Sequence, residues 1–163
     1  MLQSFGLLRT NLLKQVVYKR PSYYAMQHMV NLLHSGVKPA GRLAFTANTA
    51  REIALVGLSD ADGKPIGAMY WYSDCIPGDE LAWDRVEMSV EGLSLEDPVL
   101  VDAVTGRVYD LPLPHGSRDG GRMKLTGCPV WDAPMLLIER SAVPFRGEAV
   151  ERKAAGTRQD MLY

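Results

Sequence analysis

The 163-residue chain carries 18 basic against 19 acidic residues, a formal net charge of −1, so no global field draws it to nucleic acid or to an anionic membrane surface. Its length suits one domain with room for a hydrophobic core, and 15 glycines with 10 prolines favour the many turns of an all-β sandwich. No apolar run approaches the ~20 residues of a spanning helix, and Met1 to Arg20 lacks the charged start, apolar centre and small-residue cleavage site of a signal peptide. The expectation is a chain not addressed for export and cytoplasmic by default.

Residues 5–18 hold two short apolar runs broken by Arg9-Thr10-Asn11, which predicts a strand, a turn and a second extended piece. Pro21 then stands where the first helical position tolerates a missing N–H, and Tyr23, Met26, Val30 and Leu33 recur at helical spacing up to Gly36, so the pattern predicts a helix over 21–34. Tyr24, Met29 and Leu32 are apolar as well. A helix greasy on more than one side is expected to lie between two bodies; Tyr23, Met26, Met29 and Val30 are its candidate interface residues.

After Gly41 the period changes to that of strands. Leu43 to Thr46 is predicted as a short one. Glu52 to Leu58 and Pro65 to Ser73 flank Ser59-Asp-Ala-Asp-Gly63, turn chemistry that makes a hairpin. Asp74 to Trp83 reads as loop, and Val86, Met88 and Val90 alternate with Glu87 and Ser89 as a half-buried strand. Pro98 to Pro112 is a second hairpin about Thr105-Gly106, bounded by prolines that cannot donate to a ladder. A polar loop, His115 to Gly121, leads to strands over Arg122–Thr126 and Met135–Arg140, and beyond Val143 the apolar period is lost. The sum is a mainly β chain, an antiparallel β-sandwich of about eight strands preceded by one α-helix, because no helical segment separates the strands after Gly36.

Candidate chemistry is sparse. Tyr70, Tyr72, Trp83 with its neighbour Asp84, and Trp131 are the carbohydrate-binding candidates, since flat rings stack on pyranose faces. Neighbours on a strand face opposite ways, so Trp71 leaves the face that Tyr70 and Tyr72 share. Asp60-Ala-Asp62-Gly63 echoes the start of a calcium loop, but Gly67 to Trp71 offers no downstream carboxylate. His28, His34 and His115 show no ligand spacing, and no Gly-x-Ser-x-Gly elbow or phosphate cradle is present. No metal or cofactor is expected. Cys75 and Cys128 are expected to be free buried hydrophobes, two cysteines being too few for a disulfide framework.

Taken in order, Gly6-Leu-Leu-Arg9, Tyr18-Lys-Arg-Pro-Ser-Tyr-Tyr-Ala25 opening a helix, Asp97-Pro-Val-Leu-Val-Asp102 and Thr105-Gly106-Arg-Val-Tyr109 make a chain that resembles the C-terminal end of TIM-barrel-clan glycoside hydrolases of the xylosidase and β-galactosidase type. The resemblance covers roughly residues 5–143. It implies that residues 1–36 are the remnant of the last βα unit of a barrel, 41–143 the β-sandwich that follows it, and 144–163 a polar tail. Such barrels use two glutamates, about 5 Å apart in the retaining case, and this sequence begins after the position of both, so no residue here inherits either role. The implied function is that of a non-catalytic accessory domain whose partner is a TIM-barrel catalytic domain in cis or in trans. The alternative is a stand-alone carbohydrate-binding module; carbohydrate and a second copy of the chain are the other partners considered.

Overall fold

The structure, a computed structural model, describes residues 8–10, 13, 15–19, 21–74, 84–111, 116–119, 121–144 and 149–150. Among these residues it is mainly β with a single α-helix. The chain opens with an antiparallel pair, β1 (Leu8–Thr10) and β2 (Val16–Lys19). Helix α1 follows over Pro21–His34, the bounds its apolar spacing predicts. It ends where the Ser35 hydroxyl and backbone N–H both donate to Leu32 O and Gly36 takes φ +96°, a conformation that glycine adopts at no steric cost.

The remaining strands form two sheets. Seven of them are ordered β13-β9-β8-β12-β6-β5-β3, namely Ala149–Val150, Val108–Asp110, Pro98–Asp102, Met135–Glu139, Pro65–Tyr72, Ile53–Ser59 and Lys38–Arg42. Four more are ordered β10-β11-β7-β4, that is Gly116–Asp119, Arg122–Val130, Asp84–Glu91 and Phe45–Ala47. Pairing is antiparallel throughout except between β13 and β9.

One core lies between the sheets. Leu55, Tyr70, Leu100, Met135 and Leu137 from the larger sheet meet Val86, Met88, Val90, Met123, Leu125 and Val130 from the smaller one. The opposite face of the larger sheet carries a second core, in which Leu32 of α1 and Val37 pack with Leu58, Val99, Val101, Val108, Leu136 and Ile138. Strand β12 therefore sends alternate residues into two dry layers. Its unbroken apolar run Met-Leu-Leu-Ile is what burial on both faces requires. Segment 21–36 is thus joined to the sandwich through Leu32.

The hairpin over β8 and β9 is the place where helix and sheet meet. Asp102, 1% exposed, accepts from the N–H groups of Val104 and Thr105 and from the Thr105 hydroxyl, so its carboxylate closes the turn that its position in an apolar run only hinted at. Gly106 has φ +72°, and a Cβ there would lie 2.5 Å from His28 Nε2. The glycine thereby admits His28, whose Nδ1 bonds to Ala103 O at 3.1 Å.

Several expectations need correction. The sandwich expected to have about eight strands has eleven, β3 to β13, among the described residues, the surplus being short edge strands. The short strand expected over Leu43–Thr46 forms as β4, displaced to Phe45–Ala47, and a strand that was not expected, β3, precedes it in the other sheet; β3, Lys-Pro-Ala-Gly-Arg, is exposed at every position and so has no apolar alternation to read. Part of the expected polar loop, Gly116–Asp119, pairs with β11 as an edge strand. Strand β11 runs past Thr126 to Val130 through a bulge at which Gly127 takes φ +62°. The expected tail contributes β13, paired with β9.

Candidate functional site

Four of the sequence-derived sugar candidates lie on β6, β7 and the residue after β11, at or near one end of the sandwich. Tyr70 and Tyr72 do share one face of β6, but that face looks between the sheets, and the residues are 0% and 2% exposed. The Tyr70 hydroxyl lies 2.8 Å from Cys128 Sγ, within the core. Cys128 is buried, as expected; Cys75 lies outside the described residues. The Tyr72 hydroxyl donates to Asp84 Oδ2 at 3.0 Å, and the Arg51 guanidinium covers its ring at 4.1 Å. Neither ring offers a face to a sugar, because each is sealed by the second sheet or by Arg51.

Trp131 is half-buried and packs against the same core. Its carbonyl accepts the Tyr72 N–H at 2.7 Å, while its indole N–H is buried with no hydrogen-bond partner among the described residues. Asp84 is engaged by Tyr72 and, at 4.0 Å, by Arg51, which also pairs with Asp74 at 3.4 Å. The structure thus brings Tyr72, Asp84 and Trp131 together around an arginine that sequence reading passed over. The only signal for Arg51 was its place just before a strand. Trp83 lies outside the described residues. Chemically this end is an ion-paired cover over the core.

That cover has a pH signature. Burial pushes the Tyr72 phenol above its usual value, with a hydrogen bond from Thr49 opposing and Asp84 adding to the shift. Burial, with Asp102 nearby, does the same to Tyr109, against Arg107. A raised phenol keeps its proton in the folded chain after the unfolded chain has lost it, so the folded state binds more protons above about pH 10 and stability falls as pH rises through that range. The melting temperature is expected to drop on going from pH 9 to pH 11, and Tyr72→Phe is expected to flatten that drop; an unchanged slope in the variant would remove Tyr72 from the account.

A different kind of surface lies on α1. The helix, Pro-Ser-Tyr-Tyr-Ala-Met-Gln-His-Met-Val-Asn-Leu-Leu-His, has no Asp, Glu, Lys or Arg in 14 residues. Leu32 is buried against the sheet, yet Met26 and Val30 are each 52% exposed and Leu33 is 46% exposed. These three stand at i, i+4 and i+7, one stripe of the helix. Tyr23 and Met29, the other interface candidates, are half-buried along its margins. Leu33 belongs with them, and the same spacing carried the signal for it. In the preceding segment Leu13 is 77% and Val16 52% exposed.

No group of three metal-ligating side chains occurs among the described residues. The Asp60 carboxylate accepts from the N–H groups of Asp62 and Lys64, which is turn closure, and Gly63 beside it takes φ +84°. His28 serves the contact between helix and hairpin, and His115 lies outside the described residues. Against known proteins, neither family models, nor curated sequences, nor solved structures return a match to this chain.

Proposed function

We propose that this chain is a non-catalytic accessory β-sandwich domain of a glycoside hydrolase, with α1 as the element that docks it to a TIM-barrel catalytic domain in cis or in trans. The observation that carries the reading is the two-sided helix. One side of α1 is sunk into the second core at Leu32, and the other presents Met26, Val30 and Leu33 to solvent without one charged neighbour on the helix. A solvated helix ordinarily pairs an apolar stripe with a charged face. Here the outward face is suited to burial, and the order of the motifs from Gly6 to Tyr109 supports a barrel as the body that buries it.

Two measurements test this. Pure chain is expected not to turn over aryl glycosides; turnover abolished by one carboxylate substitution would overturn the reading. Met26→Glu is expected to raise the solubility of the isolated chain and lower its binding of hydrophobic dye, while shifting the melting temperature by no more than about 2 °C, as for a surface site. A large loss of stability would mean that Met26 is covered by the chain's own fold. A second reading, a carbohydrate-binding module, draws no support from Tyr70, Tyr72 or Trp131, whose rings are enclosed. A different surface supports it.

A further inference from the structure

The outer face of the larger sheet is occupied by α1, whereas the outer face of the smaller sheet holds a groove of about 470 Å³, within the size range of small-ligand sites. Two features of β4, β7 and β11 produce it. Strand β4 is an edge of only three residues, and β11 bulges between Leu125 and Cys128, with Gly127 at φ +62°. Bulges re-aim side chains and bend a sheet.

The polar residues lining the groove are Thr46 and Asn48 on one side, Glu87 and Ser89 on β7, and Lys124 and Thr126 on the other side, and three apolar residues of the same strands and their ends lie between them. Register sets Thr46 and Lys124 on either side of Ser89. Asn48 is held in place: its Oδ1 accepts the Glu87 N–H at 2.8 Å and its own N–H donates to Glu87 O at 3.1 Å, which leaves the side-chain amide N–H groups as its donors. The polar side chains of the lining are thus three hydroxyls, an amide, one carboxylate and one ammonium. The two charges cancel, and no aromatic ring is among the lining residues. Such a set rewards a ligand dense in hydroxyls that can both donate and accept, and gives nothing extra to a net anion or cation.

We infer that this groove binds a neutral oligosaccharide through hydrogen bonds, without aromatic stacking. The inference deepens the carbohydrate reading above and rests on it for the physiological setting, but not for the chemistry. Without ring stacking the affinity is modest, on the order of millimolar.

The test is a titration of isotope-labelled full chain, followed by amide resonances, with neutral hexaoses of β-1,4-linked glucose, xylose, mannose and galactose and with an anionic uronic-acid hexamer. At least one neutral hexaose is expected to shift resonances of β4, β7 and β11 at about 10 mM, the anionic one not to, and Glu87→Ala with Lys124→Ala to weaken binding at least tenfold with the other resonances in place. Shifts confined to other strands, binding of the uronic acid alone, binding unchanged in the double variant, or no binding by any hexaose would each overturn it. Met26→Glu should leave the titration untouched, so failure of the groove and failure of the docking helix are separate results.

Discussion

Val101→Asp is expected to lower the melting temperature by roughly 10 °C or more, while Val30→Asp lowers it by only a few degrees. Val101 is 0% exposed on β8, within the layer closed by α1, where its neighbours are Val99, Val108, Leu136 and Ile138. A carboxylate there has no cation or donor in that cluster, and an unpaired buried charge costs several kcal/mol, a large share of the ~5–15 kcal/mol that holds a domain together. For a chain of this size each kcal/mol moves the melting point by ~2–4 °C. Val30 is 52% exposed, so its substitution loses little burial and adds a hydrated charge. Thermal melts by circular dichroism on the two variants check the contrast; equal losses would place Val30 in a core.

Gly67→Ala is expected to cost about 3 kcal/mol or more, and Gly57→Ala far less, although both glycines lie in the interior of neighbouring strands. A Cβ at Gly67 would stand 2.5 Å from Leu137 O and 2.9 Å from Ile138 Cα. Both atoms belong to the backbone of β12, which Gly67 faces in register, so relief requires moving a central strand. At Gly57 the obstacle is the Leu43 side chain, its nearest carbon at 3.0 Å, and Leu43 can change rotamer. A strand glycine of the first kind marks close approach of another backbone. Urea unfolding of the two variants, with the slope held as a check on two-state behaviour, reads the difference directly.

Elements with strong periodicity were legible in the sequence. The helix over 21–34, the hairpin of β5 and β6 and the alternation of β7 follow from apolar spacing and turn residues. Elements that exist only because a neighbour offers a ladder were not. Strands β3 and β10 are polar or glycine-containing edges whose hydrogen bonds are set by tertiary pairing. The same limit applies to the aromatic candidates. Period two placed Tyr70 and Tyr72 together on one face, but which face is interior depends on the second sheet, and Ala68, Tyr70 and Tyr72 are the buried set while Trp71 stands half-buried on the other side. The groove had no signature at all, because Thr46, Ser89 and Lys124 come from three separate strands and meet only through register.

Strand β12 sits between β8 and β6, pairing Leu137 with Leu100 on one side and with Ala68 on the other. Its partners are thus some 37 and 69 residues earlier in the chain. On the ribosome, the β5–β6 and β8–β9 hairpins can each close as soon as they emerge, but they remain separate ribbons, each with an open edge, until residues 135–139 arrive to join them. Assembly of the large sheet is therefore a late, long-range event, of the kind that makes β-rich domains fold in milliseconds to seconds rather than microseconds. During that wait the unpaired edges of β6 and β8 are the places where a nascent chain is open to pairing with the wrong partner.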